Sequence, residues 1–325
     1  MSATATRLAL LCPGQGAQKL GMGVDVAADY PAAADVFRRA GAVLGLDLLA
    51  ICRDGPASEL LRTDLQQPAI LTVGAAVIAA LRAGGALPAS RLVTAFGLSL
   101  GEFTALHAAG VLGLEDAVVL VRERGLGMQE ASERVRSGMT ALPVERDVAE
   151  ALCAAARALT GGVCSVANLN APGQVVISGD LDSLAKAEAL AKEQGVRRAT
   201  RLPVAGAFHS TLMQLGAERL AKALARVKLA APSLPVIPNA TAKPTRDVGE
   251  IRDALLAQVT SPVRFVECVE AARALGAQAF LEPAPGTVLC SLVRRIDPAL
   301  VTYGAPTSEA VAELLAAALA GGRTA

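Results

Sequence analysis

Short runs rich in β-branched and aromatic residues alternate with Ala- and Leu-rich stretches of helical period along almost the whole chain. That alternation is the pattern of an α/β fold, with parallel strands covered by helices. Strands are expected at 8–12, 91–96, 236–239 and 279–282, and helices at 31–44, 67–82, 101–110, 116–133, 211–227, 251–256, 266–275 and 308–320. In the middle of the chain the order changes. A strand at 139–144 and a helix at 147–159 lead into two strands, 163–167 and 174–178, around an Asn-Ala-Pro-Gly turn. A helix at 181–194 and a strand at 197–203 complete the order β-α-β-β-α-β, the ferredoxin-like arrangement. The expected architecture is therefore a large α/β body, residues 1–134 and 205–325, interrupted by a ferredoxin-like subdomain at 135–204.

Composition removes several classes of function. Lys and Arg number 31 against 30 Asp and Glu, too balanced for a chain whose task is neutralising phosphates. Aromatic residues make up 2%, which leaves no material for a base-stacking platform. No nucleic-acid partner is expected. Only two histidines exist, so no multi-histidine metal site can be built, and no metal is expected. The cysteines at 12, 52, 153, 164, 268 and 290 form no C-x-x-C pair and read as reduced, buried thiols. The uncharged run at 65–81 contains two Gln, a Pro and a Gly, and falls short of the ~20 predominantly apolar residues that span a bilayer. The N-terminal apolar run ends at Pro13-Gly14 and reads as a strand, not a secretory leader. A cytoplasmic protein with no membrane association is the expectation.

The sharpest local signal is Gly97-Leu98-Ser99-Leu100-Gly101, a G-x-S-x-G sequence that follows an expected strand and opens an expected helix. A turn that tight puts its central residue in a strained conformation and leaves no room for side chains at the flanking glycines. Ser99 is then a candidate nucleophile, and the Leu100 N–H at the helix start would face an oxygen becoming negative there. Otherwise Ser99 is an ordinary helix cap. A serine needs a base. His107 lies on the same helix, directed away from the turn, whereas His209 lies in a junction loop after the insert, and His209 is the better candidate. The loop Pro13-Gly14-Gln15-Gly16-Ala17-Gln18 lacks a phosphate-binding pattern but can offer the Gln15 N–H as a second oxyanion donor. No Asp or Glu stands out as a third triad member, and a backbone carbonyl can orient the imidazole instead.

Taken together these residues resemble the malonyl-CoA:acyl carrier protein transacylase family, which is related to the acyltransferase domains of polyketide synthases. PGQGAQ at 13–18, GLSLGE at 97–102, Arg124-Gly125 with Met128-Gln129, NLNAPGQ at 168–174, GAFHS at 206–210 and SPVRF at 261–265 match the family's motifs in order. The resemblance implies an α/β-hydrolase-like body with a ferredoxin-like insertion. It implies Ser99 as nucleophile, His209 as base, and the N–H groups of Gln15 and Leu100 as the oxyanion hole. Arg124 would pair with the free carboxylate of malonate, with Met128 and Phe208 beside the substrate, and the carbonyl of Arg264 would orient His209. Malonyl-CoA and an acyl carrier protein are the implied partners, malonyl-CoA being a substrate, and no cofactor is implied. Leu98 stands where many members carry His, and Glu282-Pro283-Ala284-Pro285-Gly286 departs from the usual E-x-G-P-G. An editing acyl hydrolase on the same scaffold and a non-catalytic docking subunit are the alternatives.

Overall fold

The computed structural model describes residues 6–322. The chain opens with β1 (Leu8–Cys12), followed by α1 (Val24–Asp29), α2 (Pro31–Leu44), α3 (Leu48–Asp54) and α4 (Thr63–Ala83). Then come β2 (Leu92–Gly97), α5 (Gly101–Ala108) and α6 (Leu114–Arg134). The middle segment contains β3 (Ser137–Leu142), α7 (Arg146–Thr160), β4 (Cys164–Ala171), β5 (Gln174–Asp180), α8 (Leu181–Glu193) and β6 (Thr200–Arg201). The chain continues through α9 (Gln214–Leu224), α10 (Val248–Gln258), α11 (Phe265–Ala274), β7 (Ala279–Pro283), α12 (Val288–Ile296), β8 (Val301–Ala305) and α13 (Ser308–Gly322). The result is a mixed α/β fold with one parallel and one antiparallel sheet.

The parallel sheet has the order β2-β1-β7-β8. Its central strand β1 is LALLC, buried at every residue, because helices cover both faces of a parallel sheet and no position can be polar. The helix α4 has the length and hydropathy of a membrane span, yet 94% of that stretch is buried against the body of the protein. The antiparallel sheet has the order β4-β5-β3-β6 and encloses its own apolar cluster, including Leu142, Leu152, Val166, Ile177 and Leu184. Its helix α7 is amphipathic, turning Ala149, Leu152, Cys153 and Ala156 inward. Two backbone hydrogen bonds tie this sheet to the body: Leu169 N–H donates to the Val263 carbonyl, and Val263 N–H donates to the Ala167 carbonyl.

Several expected elements differ in extent. The strand expected at 236–239 is reduced to isolated bridges of Val236 with Ala95 and Thr245, since Pro235 and Pro238 on either side have no N–H to donate. The strand expected at 197–203 shortens to the exposed pair Thr200–Arg201, at a sheet edge where Arg197 and Arg198 gain nothing from burial. Conversely, β4 runs on through Asn170 and Ala171, leaving Pro172-Gly173 as a tight turn with Gly173 at φ 64°. The helix α12 and edge strand β8 are additional to the expected elements, α12 turning Leu289, Cys290, Leu292 and Val293 inward. Thr211–Met213 forms a separate 3-10 turn before α9.

Candidate active site

The strand β2 ends at Gly97 and α5 begins at Gly101, so the turn between them holds only Leu98, Ser99 and Leu100. Ser99 sits at φ 54°, a left-handed conformation costing roughly 1–2 kcal/mol for a residue with a side chain. The glycines are required by contact. A Cβ on Gly97 would lie 2.6 Å from the Cys12 carbonyl oxygen, and one on Gly101 would lie 2.7 Å from the carbon of the same carbonyl. The strained turn is held from outside. Ser99 N–H donates to Asn239 Oδ1 at 2.7 Å, Asn239 Nδ2 donates to the Gly97 carbonyl at 2.7 Å, and Gln258 Nε2 donates to the Ser99 carbonyl at 2.9 Å. Strain of this kind persists only where the surroundings over-determine it.

His209 Nε2 lies 2.8 Å from Ser99 Oγ, and its Nδ1 lies 2.8 Å from the Gln258 carbonyl. A carbonyl only accepts, so Nδ1 carries the hydrogen and Nε2 is free to accept the Ser99 proton. His209 also has positive φ, 61°. Burial, and then the neighbouring Arg124 guanidinium, push its pKa down to about 4, while the Gln258 carbonyl acts in the opposite direction. The imidazole is therefore neutral and ready to take a proton at neutral pH. His107 is elsewhere, with Nδ1 3.1 Å from the Leu112 carbonyl beyond the end of α5.

The orienting carbonyl corrects the expectation for Arg264. The Arg264 carbonyl accepts from Cys268 N–H at the start of α11, and its own N–H donates to the Asn239 carbonyl. Gln258 supplies the carbonyl instead because it ends α10, where the last carbonyls have no partner within the helix.

Arg124, on α6, is fully buried. Its Nη1 donates to Gln67 Oε1 at 2.7 Å, and its Nη2 donates to Ser99 Oγ at 2.9 Å and to Gln258 Oε1 at 3.1 Å. Its guanidinium carbon lies 5.8 Å from the centre of the Phe103 ring, while its Nε has no partner among the described residues. Burial lowers its pKa to about 10, with the Glu102 carboxylate opposing, so it remains charged at neutral pH. Met128, one turn further along α6, backs this cluster by accepting from Gln67 Nε2 at 3.6 Å. Phe208 is buried in the main core cluster next to His209 in sequence.

The first loop is pressed against the turn: a Cβ on Gly14 would lie 3.1 Å from the Leu98 side chain. The backbone N–H groups of Gln15 and Leu100 have no hydrogen-bond partner among the described residues. The Gln15 side chain donates to Gln66 Oε1. A cavity of about 640 Å³ opens beside His209, bounded by Thr211, Thr260 and Pro262 on the body and by Arg157 and Cys164 on the second sheet's side.

Gln258, Asn239 and Gln67 were not singled out by the sequence. Each is a neutral polar residue in an undistinguished stretch, and each joins the site from a distant part of the chain. Glu102 lay inside a quoted motif but carried no assigned role; it is buried, and burial raises its pKa to about 7.

An acyl transferase domain model matches residues 9–300. The malonyl CoA-acyl carrier protein transacylase of Salmonella typhimurium is 41% identical over 292 residues, covering 90% of this chain and 93% of that protein. The crystal structure of the malonyl-CoA:acyl carrier protein transacylase from Xanthomonas oryzae superposes with a TM-score of 0.91 at 39% identity, covering 96% of this chain and 98% of the other. A type II polyketide synthase malonyl-transacylase, solved with its acyl-carrier protein, gives a TM-score of 0.91 at 34% identity, covering 96% and 100%.

Proposed function

The chain belongs to the malonyl CoA-acyl carrier protein transacylase family, and from that membership we propose how its buried serine moves a malonyl group from coenzyme A to the pantetheine thiol of an acyl carrier protein. Ser99 Oγ attacks the thioester carbonyl while its proton passes to His209 Nε2. The carbonyl oxygen becomes negative and is held by the N–H groups of Gln15 and Leu100, which have no other partner among the described residues. Collapse breaks the C–S bond, and His209 returns its proton to the departing thiolate. The carrier's thiol then gives its proton to His209, its sulfur attacks the Ser99 ester, and Oγ recovers the proton as it leaves.

Arg124 determines which acyl group is handled. A malonate carboxylate replaces the neutral acceptors Gln67 and Gln258 on the guanidinium, a charge-assisted pairing that an uncharged acyl chain cannot make. The single observation that carries this reading is a buried guanidinium 2.9 Å from the same Oγ that the imidazole contacts at 2.8 Å. An editing hydrolase acting on neutral acyl chains would gain nothing from that charge, since such a chain offers the guanidinium no anion to pair with.

The finer architecture follows the same reading. An α/β-hydrolase-like body, 1–134 and 205–325, carries a ferredoxin-like subdomain at 135–204, supported by the order β4-β5-β3-β6 and a separate apolar cluster. The protein works in the cytoplasm, and each step above uses only its own side chains and backbone. Intact mass after incubation with malonyl-CoA tests the proposal. The expected result is a malonyl adduct on Ser99 that moves to added carrier protein; a chain that takes no adduct refutes it, and an adduct lost only to water favours the hydrolase.

A further inference from the structure

One buried ionisable group takes no part in these steps. Glu102, in the first turn of α5, lies under the nucleophile turn with its side chain closed off from solvent. Its Oε2 accepts from Asn239 N–H at 2.8 Å and from Gln258 Nε2 at 2.8 Å. Those two residues then reach everything that matters in the site. Asn239 binds the Ser99 N–H and the Gly97 carbonyl, while Gln258 binds the Ser99 carbonyl, the Arg124 guanidinium and, through its own carbonyl, His209. A buried carboxylate is expensive, and a neutral acceptor of the same shape would make the same two hydrogen bonds. What only the carboxylate adds is charge. Arg124 makes no direct ion pair among the described residues, and the charge that opposes the burial of its guanidinium is that of Glu102.

We propose that Glu102 is a positioning residue for acylation: it keeps Asn239 and Gln258 in register with Ser99, and it supplies the counter-charge of Arg124 through the Gln258 amide. This rests on the transacylase reading. The ionisable groups whose fields meet Glu102 are Arg124 on α6 and Cys268 on α11, the latter a buried thiol held neutral, while Asn239 and Gln258 are uncharged. Burial raises the Glu102 pKa to about 7, so the counter-charge is present above that pH and lost below it.

Two probes separate the parts of the role. Phenylmethylsulfonyl fluoride labels Ser99 by forming an O–S bond as fluoride leaves, and reads the nucleophile and base alone; malonyl-CoA also engages Arg124. Glu102→Ala, which removes the brace, is expected to slow both labelling reactions about tenfold or more. Glu102→Gln keeps the acceptor oxygen, so sulfonylation stays within about threefold of wild type. Wild-type malonylation should show an inflection near pH 7, where Glu102 changes charge, and Glu102→Gln should lack it. A structural role alone would lower the melting temperature without moving the pH profile. The proposal is overturned by wild-type rates in Glu102→Ala, by an inflection retained in Glu102→Gln, or, with no variant needed, by flat wild-type malonylation between pH 6 and 8. If wild type is sulfonylated but never malonylated, the transacylase reading fails instead, and the Ala variant's sulfonylation still decides the brace.

Discussion

Arg124→Ala is the most informative single change. The guanidinium is wholly buried, so solvent does not screen its interaction with an incoming carboxylate. Truncating one partner of such a pair leaves the other charge desolvated and unmatched, at a cost of about 2–5 kcal/mol. Expressed as a rate, that is a loss of about 30- to 5,000-fold in kcat/KM for malonyl-CoA. Acetyl-CoA has no carboxylate to strand, so its reaction should hold or improve, and the malonyl preference should collapse by nearly the full factor. Arg124→Lys keeps a charge but loses the planar fork that holds Gln67 and Gln258 and exchanges them for a carboxylate, and should fall between. The assay is a competition: equal malonyl-CoA and acetyl-CoA, with the two Ser99 adducts quantified by intact mass at short times. A malonyl preference within about threefold of wild type in Arg124→Ala would refute the assignment. There is an internal control. The guanidinium helps to push His209 down to about 4, so the acid limb of acetyl transfer should move to higher pH in this variant.

Three further outcomes follow from the geometry. Gly101→Ala forces a Cβ against the Cys12 carbonyl, whose carbon is 2.7 Å away, and should cost about 3 kcal/mol or more of stability, read by denaturant unfolding, together with most acylation. His209 is neutral in the fold down to about pH 4 against an ordinary value of 6.5, so its contribution to stability is complete above 6.5 and is lost as pH falls through 4; His209→Gln should flatten that part of the stability–pH curve. His107→Leu removes one hydrogen bond to the Leu112 carbonyl, lowering stability by about 1 kcal/mol while leaving the Ser99 acylation rate unchanged.

The legible part of the site was the part made by near neighbours in the chain. The turn around Ser99 can be read directly because its strain and its two glycines lie within a span of five residues, and the strand before it and helix after it dictate its direction. His209 was legible for a different reason: with two histidines, one of them in the wrong half of α5, little choice remained. The Arg264 assignment failed because two carbonyls close to each other in sequence differ only in whether a helix consumes them. Arg264 precedes α11 and its carbonyl is taken by Cys268, whereas Gln258 closes α10 and no N–H within that helix takes its carbonyl. Composition says nothing of that difference.

By itself, then, the sequence determined the alternation of strands and helices, the β-α-β-β-α-β order of the middle segment, and the pair Ser99 and His209. These depend on local sterics, periodicity and scarcity. The tertiary structure alone decided that Asn239, 140 residues from Ser99, would hold its N–H, and that Gln258, 159 residues away, would hold its carbonyl. It also decided that Gln67, 57 residues from Arg124, would hold a guanidinium. Neutral amides carry no charge or periodicity to announce a role. They become specific only when folding removes water and leaves the buried polar groups of the turn with few available partners. The same closure turned Arg124 from one charge on a helix into a desolvated cation donating to Ser99 Oγ.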